Sequence, residues 1–67
     1  MKALGKRIKE LRKVQGFSQE DLSYEADIPL SQVGRIERGE INPTVSTVAA
    51  IASALKVELK EVFNFRF

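Results

Sequence analysis

Leu30, Ser31, Gly34, Arg35 and Arg38 recur at steps of three and four along the stretch 29–38. On an α-helix those steps bring residues onto one face. A guanidinium presents a planar fork of donors that matches phosphate oxygens or the acceptor pair on a guanine edge. The serine hydroxyl adds a short-range donor and acceptor. Such a face is built to touch polar, anionic surfaces. Bond-making chemistry has little to work with. The chain holds neither cysteine nor histidine, which excludes disulfides and zinc sites made from the usual Cys/His ligands. General-base or nucleophile roles would fall to Asp, Glu, Lys, Tyr24, Ser or Thr. No glycine-rich phosphate loop or paired-carboxylate motif frames them. No enzyme, metal site or cofactor is expected.

The elements that must hold this face are legible in the punctuation. Gly16, Asp27-Ile28-Pro29, Gly39 and Asn42-Pro43 divide the chain into short helical pieces. Leu4, Ile8, Leu11 and Val14 give an amphipathic first helix that ends at Gly16, with Phe17 over the joint. Ser18 opens the second helix as its cap, and Asp21 three residues on resembles a capping box. Glu20 and Asp21 suit the positive end of that helix, and Leu22 and Ala26 form its buried stripe. The third helix begins near Pro29, whose fixed φ is harmless there. Val33 and Ile36 face inward, and Gly39 stands at the C′ position.

Thr44 caps a fourth helix in which Val45, Val48, Ile51, Ala52 and Leu55 make a broad apolar stripe. A last short helix around Glu58 to Phe63 is expected to bury Leu59, Val62 and Phe63. The tail from Phe63 to Phe67 alternates apolar and polar, the period of a strand. These pieces predict a compact all-α domain of five helices over residues 1–67. None is long enough to be stable alone. The second and third helices, over about 18–38, join through a turn of three or four residues as a helix-turn-helix.

Charge is unevenly placed. Residues 1–16 carry Lys2, Lys6, Arg7, Lys9, Arg12 and Lys13 against Glu10 alone. Residues 17–41 set Arg35 and Arg38 against Glu20, Asp21, Glu25, Asp27, Glu37 and Glu40. A basic patch at one end fits a phosphate-facing surface; a solvated helix face fits it as well. No segment approaches the roughly 18 apolar residues of a membrane span, and the start MKALGKRIKE is charged, unlike a signal peptide. The expectation is a cytoplasmic protein with no membrane partner.

The run from Ser18 to Phe63 closely resembles the Cro and phage-repressor type of helix-turn-helix, also called the xenobiotic-response-element type. Ile36-Glu37-Arg38-Gly39 followed by Asn42-Pro43-Thr44 carries most of the likeness. Gln19-Glu20-Asp21-Leu22 upstream, and Ile51-Ala52 and Ala54-Leu55-Lys56-Val57 downstream, complete it. The resemblance implies a lambda-repressor-like fold and sequence-specific binding to double-stranded DNA by a transcriptional regulator, a repressor, with helix 29–38 in the major groove. It makes Leu30, Ser31, Gln32 and Arg35 the base readers: Arg35 forked onto guanine, Gln32 on adenine, Leu30 on a thymine methyl. It assigns phosphate contacts to Ser18, Gln19, Arg38, Asn42 and Thr44, and a structural salt bridge to Arg12 and Glu37.

The sequence departs from the family pattern at three places. Asp27 replaces a usual glycine in the turn, which Asp tolerates better than most residues. Ser23 replaces a usual alanine at the close approach of the two helices. Gly34 lies mid-helix, at a cost of about 1 kcal/mol against alanine, and removes one contact from the outward face. Relatives bind near-palindromes as dimers, with half-site centres about 34 Å apart. A homodimer here would use the last helix with Phe65 and Phe67; the alternative is that these rings fold back onto their own core. Two other functions remain compatible with the residues: an antitoxin-like protein that binds both its own promoter and a protein partner, and an interaction domain without DNA binding.

Overall fold

The structure is a computed structural model and describes residues 2–65. Its described residues form five helices: α1 Lys2–Val14, α2 Gln19–Ala26, α3 Leu30–Glu37, α4 Val45–Ala54 and α5 Leu59–Val62. α1 packs on α3 and α5, α2 on α3 and α4, and α4 on α5. One apolar core joins all five. It takes Leu4 and Ile8 from α1, Leu22 and Ala26 from α2, Val33 and Ile36 from α3, Val48, Ile51 and Ala52 from α4, Leu55 just after it, and Val62 from α5.

Local chemistry sets the helix ends. The Ser18 hydroxyl accepts from the Asp21 N–H at 3.0 Å, and the Asp21 carboxylate accepts from the Ser18 N–H at 2.9 Å. This is a reciprocal capping box with aspartate in place of the usual glutamate. Thr44 caps α4 by accepting from the Thr47 N–H at 3.1 Å. Pro29 is the N-cap of α3 at φ −60°. Past the other end of α3, Gly39 sits at φ +75° and donates to the Ile36 carbonyl at 3.0 Å, while Glu40 donates to Arg35 at 2.9 Å. The left-handed turn there favours glycine. A side chain would also meet the Lys2 Cα at 2.8 Å.

Several apolar residues expected in the core lie outside it. Val14 is 82% exposed and Val45 74%. By its last turn α1 has rotated past the core, and the buried position after Ile8 is filled by Arg12. Val45 begins α4, one turn before its packed part starts at Val48. α5 is shorter than the range 58–63: Glu58 and Phe63 are its caps, and Leu59 and Phe63 stay exposed while Val62 alone is buried. Four residues present one inward position per turn, so a three-residue apolar set cannot all be covered.

The strand expected after Phe63 does not form among the described residues. Instead the Phe65 N–H turns back to the Phe63 carbonyl at 3.0 Å. The two rings lie 6.4 Å apart, tilted by 55°. Phe65 is half-buried against the core and lines a shallow recess with Ala3, Lys6, Arg7 and Glu10 of α1. Phe67, the other residue expected at a dimer interface, lies outside the described residues.

Candidate nucleic-acid interface

Three hydrogen bonds close the α2–α3 connection. Asp27 adopts the left-handed conformation, φ +57° and ψ +48°, as the cap of α2. Its N–H donates to Tyr24 at 3.3 Å and the Ile28 N–H to Ser23 at 3.1 Å, closing the helix end. The Ser23 hydroxyl then donates to the Ile28 carbonyl at 2.6 Å. Serine at this close approach therefore adds a bond across the turn that alanine would lack. Ile28 packs on the core beneath it.

A buried polar network fixes α3 against both preceding helices. Arg12 donates Nε to Glu37 Oε2 at 2.6 Å and Nη2 to Oε1 at 3.0 Å, with both side chains more than nine-tenths buried. Its Nη1 donates to the Phe17 carbonyl at 2.8 Å, and the Gln19 amide donates to Glu37 Oε1 at 3.1 Å. The pair expected between Arg12 and Glu37 is therefore present, and it also holds Gln19 at the start of α2. Among the described residues no buried side-chain polar atom lacks a partner, the condition under which a buried ion pair is tolerated. Gly5 permits the approach: a Cβ there would overlap the Ile36 carbonyl oxygen and lie 2.7 Å from that of Glu37. Sequence reading passed over Gly5, although a glycine inside a helical pattern marks close packing.

With Val33, Ile36 and Glu37 turned inward, helical geometry puts Ser31, Arg35 and Arg38 together on the outward face. All three are exposed; Leu30 is exposed on one flank and Gln32 is half-buried on the other. Gly34 lies on the same side as Arg38, as its spacing suggested, but is not open to solvent. It is buried beneath the Arg38 guanidinium, whose Nη1 a Cβ would meet at 2.9 Å.

Glu40 joins the two arginines. Arg38 donates Nε to Glu40 Oε2 at 2.6 Å and approaches Oε1 with Nη2 at 3.5 Å, and Arg35 Nε lies 3.8 Å from Oε1. The Arg38 hydrogen bond, opposed by desolvation and aided by the charges of both arginines, holds the Glu40 carboxyl below the usual carboxylate range. The same contact raises Arg38. Sequence reading assigned Glu40 no role, since nothing local signals where its carboxylate points.

Of the expected phosphate contacts, Ser18, Arg38, Asn42 and Thr44 are exposed and Gln19 is half-buried. The start of α2 is already neutralised by Asp21, whereas α4 has no acid in its first turn. The backbone N–H groups beside Thr44 therefore suit an anion better than those beside Ser18. On α1, Lys2, Lys6, Lys9 and Lys13 line one exposed face. No ion pair among the described residues engages them, while Arg7 is drawn to Glu61 at 3.5 Å and Arg12 to Glu37. No described cluster of His, Cys, Asp or Glu could hold a metal ion. No described helix is long and apolar enough to cross a membrane.

Five helices with a locked helix-turn-helix and an outward arginine face define a DNA-binding type of domain. The chain belongs to the helix-turn-helix family HTH_3, whose pattern it matches over residues 8–62. It is 36% identical over 59 residues to the immunity repressor protein of Bacillus phage phi105, covering 88% of this chain and 41% of that protein. Thus it spans about two-fifths of the phage protein's length. Among solved structures it is similar to the restriction-modification controller protein C.AhdI of Aeromonas hydrophila, at 38% identity and TM-score 0.88, covering 90% of this chain and 91% of that one. It is also similar to SinR, the master regulator for biofilm formation, solved in complex with DNA, at 29% identity and TM-score 0.86, covering 91% and 98%.

Proposed function

We propose that this chain is a sequence-specific double-stranded DNA-binding regulator, a repressor, that places the segment 29–38 in the major groove. The carrying observation is the outward face of α3, Ser31, Arg35 and Arg38, presented by a helix pair that Asp27, Ser23 and the Arg12–Glu37–Gln19 network lock in place. Membership of a family whose similar members are a repressor, a controller protein and a regulator solved on DNA supports the same reading and a non-enzymatic role. Base contacts fall to Leu30, Ser31, Gln32 and Arg35. Phosphate contacts fall to Ser18, Gln19, Arg38, Asn42 and Thr44, with the lysine face of α1 adding to the attracting field. The whole described chain serves as one domain, acting in the cytoplasm where the duplex is.

One such domain covers only a half-site, so a homodimer on a near-palindromic operator completes the reading. Exposed Leu59 and Phe63, with Phe65 beside them, supply apolar surface for a second copy. Selection from a random duplex library, followed by salt-dependent binding measurements, tests the proposal. A dyad-related pair of half-sites is expected, with affinity falling steeply as salt rises. Absence of affinity for any duplex at low salt would overturn it. Sedimentation that stays monomeric with and without the selected duplex would overturn the dimer alone.

A further inference from the structure

We propose that Glu40 is a positioning residue of the interface, bracing Arg35 and Arg38 from behind and opposing binding that rests on phosphate contacts alone. The inference rests on the DNA-binding reading above. The carboxylate takes the Nε side of both guanidiniums, at 3.8 Å for Arg35 and 2.6 Å for Arg38. At 3.8 Å the Arg35 side chain makes an ion pair and no hydrogen bond with Glu40, which leaves its donors for the acceptor pair of a guanine edge. Arg38 is also held by Nη2, and its Nη1 lies over Gly34.

The two kinds of contact respond differently to this arrangement. A phosphate approaching Arg38 meets a carboxylate already seated on the fork and carrying the same sign of charge. A purine edge is uncharged, so it can accept from Arg35 while Glu40 stays where it is. Glu40 therefore weakens attachment to duplex of any sequence while keeping Arg35 aligned for the selected base, and both effects raise the specificity ratio. The depressed carboxyl keeps its charge at neutral pH. An exposed pair of this kind contributes little to folding. The Glu40 backbone bond to Arg35 that closes α3 does not depend on the side chain. Glu37, the one acid on α3 itself, is buried with Arg12 and cannot substitute.

The test uses the full chain and its Glu40→Gln variant. Three duplexes serve as probes across a salt series: the selected site, that site changed at the base pair read by Arg35, and a scrambled sequence. In the variant, affinity for scrambled duplex is expected to rise roughly two- to fivefold, and its log–log salt slope to steepen by about 1. The ratio between selected and changed sites should shrink, with the melting temperature unmoved. Glu40→Asp should restore the low scrambled affinity, and in an Arg35→Ala background Glu40→Gln should no longer alter the ratio. A rise in scrambled affinity without loss of the ratio, no change in either, or a fall in scrambled affinity overturns the inference. If the parent bound no duplex at all, the DNA-binding reading itself would fall, an outcome separate from these.

Discussion

Arg12 and Glu37, 25 residues apart in the chain, meet fork to fork beneath the start of α2, at 2.6 and 3.0 Å. The pair is shielded from water, and the two remaining hydrogen bonds go to the Phe17 carbonyl and the Gln19 amide. One buried carboxylate thus ties α1, the α1–α2 joint and the first residue of α2 to α3. Removing either partner alone leaves a buried charge with no counter-ion.

Arg12→Met or Glu37→Leu alone should therefore lower stability by about 3 kcal/mol, and the two together should recover much of it. Urea midpoints at unchanged m would report this. The double variant has a second reading. Gln19 loses its acceptor, so duplex affinity should stay low although the fold returns. Single losses below about 1 kcal/mol would put this pair in the class of solvent-screened ion pairs instead.

Asp27 holds φ +57° without a glycine's freedom. A left-handed conformation costs an ordinary residue roughly 1–2 kcal/mol, less for aspartate. No ion pair among the described residues holds its carboxylate. Asp27→Gly should accordingly stabilise the chain by up to about 1 kcal/mol, a rise in melting temperature of about 4–8 °C for a domain of this size. An unchanged or lower melting temperature would mean that the aspartate side chain supports the turn in some other way.

These cases show which features the sequence made legible. The Ser18–Asp21 box, the Thr44 cap, the Gly39 end and the left-handed Asp27 are all local: partner atoms lie within a few residues, and residue type nearly dictates geometry. The Arg12–Glu37 pair came only through resemblance, because nothing in either neighbourhood names the other. Non-local packing was the blind side. Gly5 matters through a carbonyl on another helix. Ser23 and Glu40 bond within five residues, but through irregular turns whose side-chain directions residue type does not dictate. Val14 and Val45 satisfied the apolar period yet face water, since periodicity says which face points inward but not how far along the helix a neighbour extends.

Gly5→Ala tests the close approach of α1 to the end of α3. The added methyl would overlap the Ile36 carbonyl oxygen and crowd that of Glu37, and neither can yield as a flexible side chain would. Intrinsic propensity alone favours alanine in a helix by about 1 kcal/mol. Overpacking should outweigh that gain, for a net loss of roughly 1–3 kcal/mol in a denaturation experiment. A stabilised variant would show that α1 and α3 can separate without penalty.

Arg35 and Arg38 sit one turn apart on the same face and share Glu40, yet their replacement by alanine should read differently. Arg35 stands mid-face and its side chain touches Glu40 only as a 3.8 Å ion pair, so its loss should cost on the order of 1–3 kcal/mol on the selected duplex and relax preference at one base pair. Arg38 is the cap residue past the end of α3 and folds back over Gly34, a position suited to the strand backbone. Arg38→Ala should weaken selected and scrambled duplexes alike and reduce the salt slope by about 1. The two variants together separate reading from anchoring. Were Arg35→Ala to bind every sequence as the parent does, base recognition would have to move to Ser31 and Gln32, or to the shape of the duplex itself.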